Sequence, residues 1–242
     1  AMQEVLSYAA SLGYYVLLDL MRADLGTTAE DLANACFGRI QVGEESFTPY
    51  ACDGVLMSGF LGSDAVKPFA EFCREGKNVF IVARSSNKSA REVQDLLSGD
   101  RVVYQVMADL AMRWSTGLFG TNGYSEIGIA VGATNRPVLE TLRRKYDRLF
   151  FLVPGYGAQG AGACAREFLF HYTGRAGACK CFGAKRVRGG AGITGIERNF
   201  PHRRSQCVEN KTHPRNGCFG GALCVVYEIR RTDPCRGTWA PW

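Results

Sequence analysis

Apolar and polar positions follow two alternating rhythms through the first two thirds of the chain. Five short runs carry almost no polar alternation: residues 14–19, 54–58, 78–83, 126–132 and 149–153. Runs of this length and character predict strands covered on both faces. Between them the apolar positions recur at helical spacing over Gln3–Ala10, from Thr27 or Thr28 as a capping residue to Phe37, and over Asp64–Arg74. The same spacing continues over Ser89–Leu97, Val102–Trp114, Pro137–Tyr146 and Cys164–Tyr172. Strands alternating with helices predict a parallel sheet built from helical crossovers.

Beyond Tyr172 the rhythm stops. Gly and Arg dominate from Gly174 to Gly195, and Asn199 to Pro214 is polar and basic. A single strand is expected around Leu223–Ile229, with Pro234–Trp242 as an end segment. We therefore expect two parts: a barrel-like domain over 1–172 and a basic, Cys-rich tail over 173–242 that is disordered or the product of a reading-frame change.

Charge sharpens this division. The 242 residues carry a net charge of +6, but residues 1–160 sum to −3 and residues 161–242 to +9. Seven of the ten cysteines and all three histidines also fall in the second part. A zinc site is not expected, because Cys179 and Cys181 lack the usual two-residue spacer and no second close pair follows. The basic tail leaves nucleic acid as an alternative partner, although no nucleic-acid module is recognisable. With no secretory signal pattern and no long apolar segment, a soluble cytoplasmic protein is expected, its cysteines unpaired.

The candidate chemistry begins where the last apolar run ends. Leu149–Val153 stops at Pro154 and passes into a loop holding Gly155, Gly157 and Gly160, with Gln159 among them. Glycines there let successive backbone N–H groups converge on an anion, and the Gln159 amide adds a donor. The string Pro-Gly-Tyr-Gly-Ala-Gln-Gly, residues 154–160, resembles the phosphate loop of the orotidine 5′-phosphate decarboxylase family, particularly its bacterial second class. Three further strings agree in order. Asp19-Leu-Met-Arg-Ala-Asp-Leu-Gly-Thr-Thr28 is similar to the family's Asp-x-Lys-Arg-x-Asp-Ile-Gly-x-Thr motif, Phe60-Leu-Gly-Ser-Asp64 to its Tyr-Leu-Gly-Ser-Asp segment, and Ser85-Ser-Asn87 to its Thr-Ser-Asn-Pro segment.

The resemblance covers about residues 1–172 and implies a (β/α)8 TIM barrel whose third to seventh strands are the five runs above. On that count the first two strands are absent at the N-terminus and the chain looks truncated. It also implies decarboxylation of orotidine 5′-phosphate to UMP, in pyrimidine nucleotide biosynthesis, by a homodimer that needs no cofactor or metal. Asp19, Met21 and Asp24 would be the catalytic positions, with Asp24, Leu25 and Thr28 serving the partner subunit's site. Ser86 would address the base, while Gln159, Gly160 and, from Val187-Arg188-Gly189-Gly190, Arg188 would hold the phosphate. Met21 stands where the family has its lysine. Methionine has no ionisable group, so it neither donates a proton nor balances two carboxylates, and impaired catalysis is expected. A non-catalytic phosphate- or nucleotide-binding homologue is the alternative.

Overall fold

The computed structural model describes residues 2–12, 14–20, 22–121 and 123–155, with the backbone of 178–180 and 223–227. The chain opens with α1 (Met2–Ser11), β1 (Tyr15–Asp19) and α2 (Gly26–Phe37), followed by a small hairpin of β2 (Ile40–Val42) and β3 (Glu45–Phe47). Then come β4 (Gly54–Met57), α3 (Ser63–Phe72), β5 (Asn78–Arg84) and the single turn α4 (Arg91–Gln94). A second hairpin, β6 (Leu97–Ser98) and β7 (Arg101–Val102), leads into α5 (Val103–Trp114), β8 (Ile127–Val131), α6 (Arg136–Lys145) and β9 (Phe151–Pro154). Two short strands, β10 (Ala178–Lys180) and β11 (Leu223–Tyr227), complete the described elements.

All five expected strands are present, and their pairing order decides the architecture. β1, β4, β5, β8 and β9 lie side by side in chain order, every pair parallel. Each crossover thus steps in the same direction. Because such crossovers are right-handed, stepping one way places every helix on the same face of the sheet, which is the winding of a barrel rather than of a two-sided open sheet. Burial agrees. Val16, Leu18, Val55, Val79, Ile81, Ile127, Ile129 and Phe151 pack with Leu6, Phe37, Phe69, Met107, Ala111 and Leu142 of the helices in one large cluster. The alternate residues Leu17, Leu56, Phe80, Ala130 and Leu152 form a second, smaller cluster on the opposite face, the inside of the arc. β10 adds parallel to β9, and β11 lies antiparallel beside β1 with Leu223 opposite Asp19.

Polar groups close the N-terminal end of this inner face. The Tyr15 hydroxyl donates to Asn78 Oδ1 at 2.6 Å, and Asn78 Nδ2 donates in turn to Glu126. A Cβ at Gly54 would collide with that same hydroxyl, so glycine at 54 is what lets Tyr15 reach across. Burial, then the nearby Asp53 carboxylate, pushes the Tyr15 phenol well above its ordinary value.

Two local expectations are corrected. The helix after β1 is not capped by Thr27 or Thr28: its N-cap is Leu25, which makes no side-chain capping bond, and the turn into the helix is made by Gly26 at φ 55°. The region 89–97 is not one amphipathic helix. It breaks after Gln94, where Asp95 is drawn back to Arg84, and Leu97–Ser98 then pairs with Arg101–Val102 around Gly99 at φ 67°. The β2–β3 hairpin was not foreseen, since its strands of three residues give too short a window for alternation to register. The helix expected at Cys164–Tyr172 lies outside the described residues. Among the described residues no helix is long and apolar enough to cross a membrane.

Candidate functional site at the C-terminal end of the strands

In a parallel barrel the side chains able to meet a ligand collect where the strands end. β1 ends in Asp19, which is 8% exposed and follows Tyr15 and Leu17 on the inner face. The next residue, Leu20, is held by its N–H donating to Leu56 O at 3.0 Å, so the strand end is tied to β4. Arg22 then pairs with Asp24 at 2.6 Å. Leu25 is exposed at the start of α2, and Thr28 lies in its first turn.

β5 ends in Arg84, after which Ser85 and Ser86 turn the chain away. Ser86 is partly buried, and among the described residues its hydroxyl makes no hydrogen bond. Its backbone is fixed. Gly132, just after β8, sits so close that a Cβ there would lie 2.7 Å from the Ser86 Cα, and the Thr134 hydroxyl donates to Ser86 O at 3.4 Å. Asp19 and Ser86 leave strands that flank β4, so two inter-strand spacings, about 10 Å, separate their lines of descent.

Of the expected site residues, Asp19, Asp24, Leu25, Thr28 and Ser86 thus gather at one end of the sheet. Met21, Gln159, Gly160 and Arg188 lie outside the described residues, as does the phosphate loop beyond Gly155. A groove of about 580 Å³ opens nearby between α2 and α3, lined by Leu25, Gly26, Glu30, Asp64, Lys67 and Glu71. Three carboxylates against one ammonium give it the wrong sign for a phosphorylated ligand. Cys52 and Cys73 are equally unsuited as nucleophiles. The Cys52 thiol is raised by its contact with Cys36 and then by burial, and burial pushes Cys73 up to about 12, so neither forms a thiolate near neutrality. Among the described residues no group of three metal-ligating side chains comes together.

Sequence reading missed the support behind Ser86. Arg84 is 6% exposed and grips Asp95 with two bonds, Nε to Oδ1 at 2.7 Å and Nη2 to Oδ2 at 3.0 Å. Arg84 Nη1 donates to Ser85 O at 2.6 Å, and Gln94 Oε1 accepts the Ser85 N–H at 2.8 Å. A charged residue closing an otherwise apolar strand, with an acid eleven residues on, was the available signal.

Comparison with known proteins places this geometry. Residues 2–166 match the family described as orotidine 5′-phosphate decarboxylase / HUMPS family. Orotidine 5′-phosphate decarboxylase of Haloarcula marismortui is 37% identical over 164 residues, which are 67% of this chain and 53% of the relative. That of Caldicellulosiruptor bescii is 32% identical over 160 residues, 66% of this chain and 52% of the relative. The chain therefore spans about half the length of the curated relatives it matches. Among solved structures, a Streptomyces avermitilis protein described as an orotidine 5′-phosphate decarboxylase superposes with a TM-score of 0.58 at 27% identity, over 74% of this chain and 59% of the other. With five consecutive parallel strands wound one way and a match over most of its described length, the chain belongs to the orotidine 5′-phosphate decarboxylase / HUMPS family.

Proposed function

We propose that this chain carries the site of an orotidine 5′-phosphate decarboxylase, a lyase that releases carbon dioxide from orotidine 5′-phosphate to give UMP, and that Met21 impairs its catalysis. The observation that carries the reading is that Asp19 and the turn holding Ser86 lie at the same end of the sheet, on the strands either side of β4, within the matched region. In the family motif a lysine ammonium balances the flanking carboxylates and protonates C6 of the pyrimidine as carbon dioxide leaves. Asp19 and Asp24 retain the carboxylate half of that arrangement. Met21 supplies neither the charge nor the proton, and loss of a general acid costs about 10²–10⁴-fold.

Ser86 then addresses the amide edge of the base, while Gln159, Gly160 and Arg188 hold the phosphate. No metal or organic cofactor takes part. Asp24, Leu25 and Thr28 serve the neighbouring site of a cytoplasmic homodimer. Support for a partner comes from Leu25, Phe60, Leu61 and Leu97, exposed large apolar side chains that follow β1, β4 and β5.

The decisive assay compares wild type with Met21→Lys, following the loss of orotidine 5′-phosphate absorbance and measuring UMP affinity by calorimetry. Turnover rising in Met21→Lys, with UMP bound by both proteins, is the expected result. Binding without turnover in either protein assigns the chain instead to the non-catalytic nucleotide-binding reading, which Met21 itself favours. Strongly salt-dependent binding of unrelated DNA or RNA, lost on deleting residues after Tyr172, is the result expected of a nucleic-acid-binding protein.

A further inference from the structure

We infer that Gln94 and Asp95 are positioning residues for recognition of the pyrimidine base, acting on Ser86 through a clamp that ties the C-terminal end of α4 back to the end of β5. The inference rests on the nucleotide reading above and adds to it the groups that aim its base-facing hydroxyl.

Four side chains, Gln94, Asn87, Arg84 and Thr134, bond to the turn around Ser86. The Ser85 N–H goes to Gln94 Oε1 at 2.8 Å, and Gln94 Nε2 donates to the Ser85 hydroxyl at 3.1 Å. That hydroxyl donates onward to Asn87 Oδ1 at 2.7 Å, which fixes its rotor. Ser85 O accepts from Arg84 Nη1 at 2.6 Å, and this carbonyl belongs to the peptide whose N–H is that of Ser86. Ser86 O accepts from Thr134. Both peptide planes flanking Ser86 are therefore pinned.

Asp95 controls the Arg84 contact. A single ion pair leaves a guanidinium free to rotate, whereas the two parallel bonds from Nε and Nη2 fix its plane and hence the direction of Nη1. Arg84 is buried on the strand, so its charge has to be answered there. This explains why α4 is one turn long. A continued helix would carry Gln94 and Asp95 round its axis at about 100° per residue, and both could not face the strand end. Breaking the helix at Asp95 lets adjacent side chains point the same way. Among the described residues the Ser86 hydroxyl makes no hydrogen bond and stays uncommitted.

The test uses the full chain, with UMP and ribose 5-phosphate as probes in calorimetry. Gln94→Leu removes the acceptor for Ser85 N–H, and UMP affinity is expected to fall about tenfold, the scale of a displacement well under 1 Å at a contact group. Ribose 5-phosphate, which lacks the base, should bind as to wild type. Gln94→Glu keeps an oxygen for the Ser85 N–H and should retain most of the UMP affinity. Unchanged UMP binding by Gln94→Leu overturns the assignment, as does a parallel loss of both ligands, which would mean general loosening. Equal losses in Gln94→Leu and Gln94→Glu also overturn it. Wild type that binds neither ligand overturns the nucleotide reading instead. Amide exchange at Ser85 and Ser86 without ligand then separates the two failures, since the clamp predicts faster exchange in Gln94→Leu regardless of what the site binds.

Discussion

The Arg143 guanidinium lies 3.7 Å from the centroid of the Phe151 ring and is 1% exposed, so a cation on the outer helix layer is sealed against β9. Its Nη1 donates to Leu149 O at 2.9 Å and reaches Tyr146 O at 3.4 Å, joining the end of α6 to the start of β9. Burial lowers its pKa to about 10, and Nε and Nη2 have no partner among the described residues.

Two opposing effects act at that position. Removing a buried charge relieves a desolvation penalty, but it also strips Leu149 O of its donor and empties the space over the ring. For Arg143→Ala the second dominates, and a loss of about 3–5 kcal/mol is expected. Arg143→Met keeps the stem against Phe151 and should lose roughly half as much. Urea unfolding of the three proteins, with m-values compared, checks the order.

At the opposite face, Gly54→Ala should destabilise by about 1–3 kcal/mol, because the new methyl meets the Tyr15 hydroxyl and nearby atoms of Leu17 and Asn78. Tyr15→Phe takes away the atom most in the way. The double variant should therefore be less destabilised than the sum of the single changes, and a coupling energy of zero in the thermodynamic cycle would contradict the collision.

Asp109 gives a pH signature. Burial pushes its carboxyl up, but hydrogen bonds from Tyr146, Lys145 and Arg101 outweigh this and hold it below its ordinary value. A carboxyl lowered in the folded state stabilises above its unfolded pKa, about 4, and that contribution disappears as pH falls through the folded value. The stability gap between wild type and Asp109→Asn should be full at pH 6 and narrow on acidification below about pH 4. A gap that widens in acid would reverse the sign and exclude the network as its cause.

The exposed apolar side chains at the strand ends make a separate test of the proposed homodimer. Phe60 is 70% exposed and Leu97 75%. Phe60→Asp and Leu97→Asp should each weaken self-association measured by sedimentation equilibrium while leaving the unfolding midpoint of the monomer nearly unchanged. A monomeric wild type removes the basis for assigning Asp24, Leu25 and Thr28 to a neighbour.

The strands were legible because each is buried on both sides, as at Gly54–Met57 and Ile127–Val131, and such runs advertise themselves without any knowledge of their neighbours. The position of Asp19 was legible because it closes an apolar run, which puts the carboxylate at the C-terminal end of a strand. The stretch from Ser89 to Leu97 misled for a physical reason. Val93, Leu96 and Leu97 repeat at helical spacing, yet all three are exposed, so their periodicity records no packing against the core. The tie between Arg84 and Asp95 overrides the helical preference there, and a contact spanning eleven residues leaves no periodic trace. Gly26 likewise displaced the expected threonine cap, because a left-handed φ at that point depends on where the loop must go.

An arc differs from a closed ring in one respect that bears on handling this protein. Closure leaves no strand with an unanswered row of N–H and C=O groups, whereas an arc has two edges. Here β11 runs five residues along β1, from Tyr227 opposite Tyr15 to Leu223 opposite Asp19, and so answers one of those rows. Any truncation made before residue 223, including one meant only to remove the basic tail, strips that cover from a buried apolar strand. The uncovered row is a template for pairing between molecules, so aggregation of such a fragment would report an exposed ladder rather than the loss of a folded barrel.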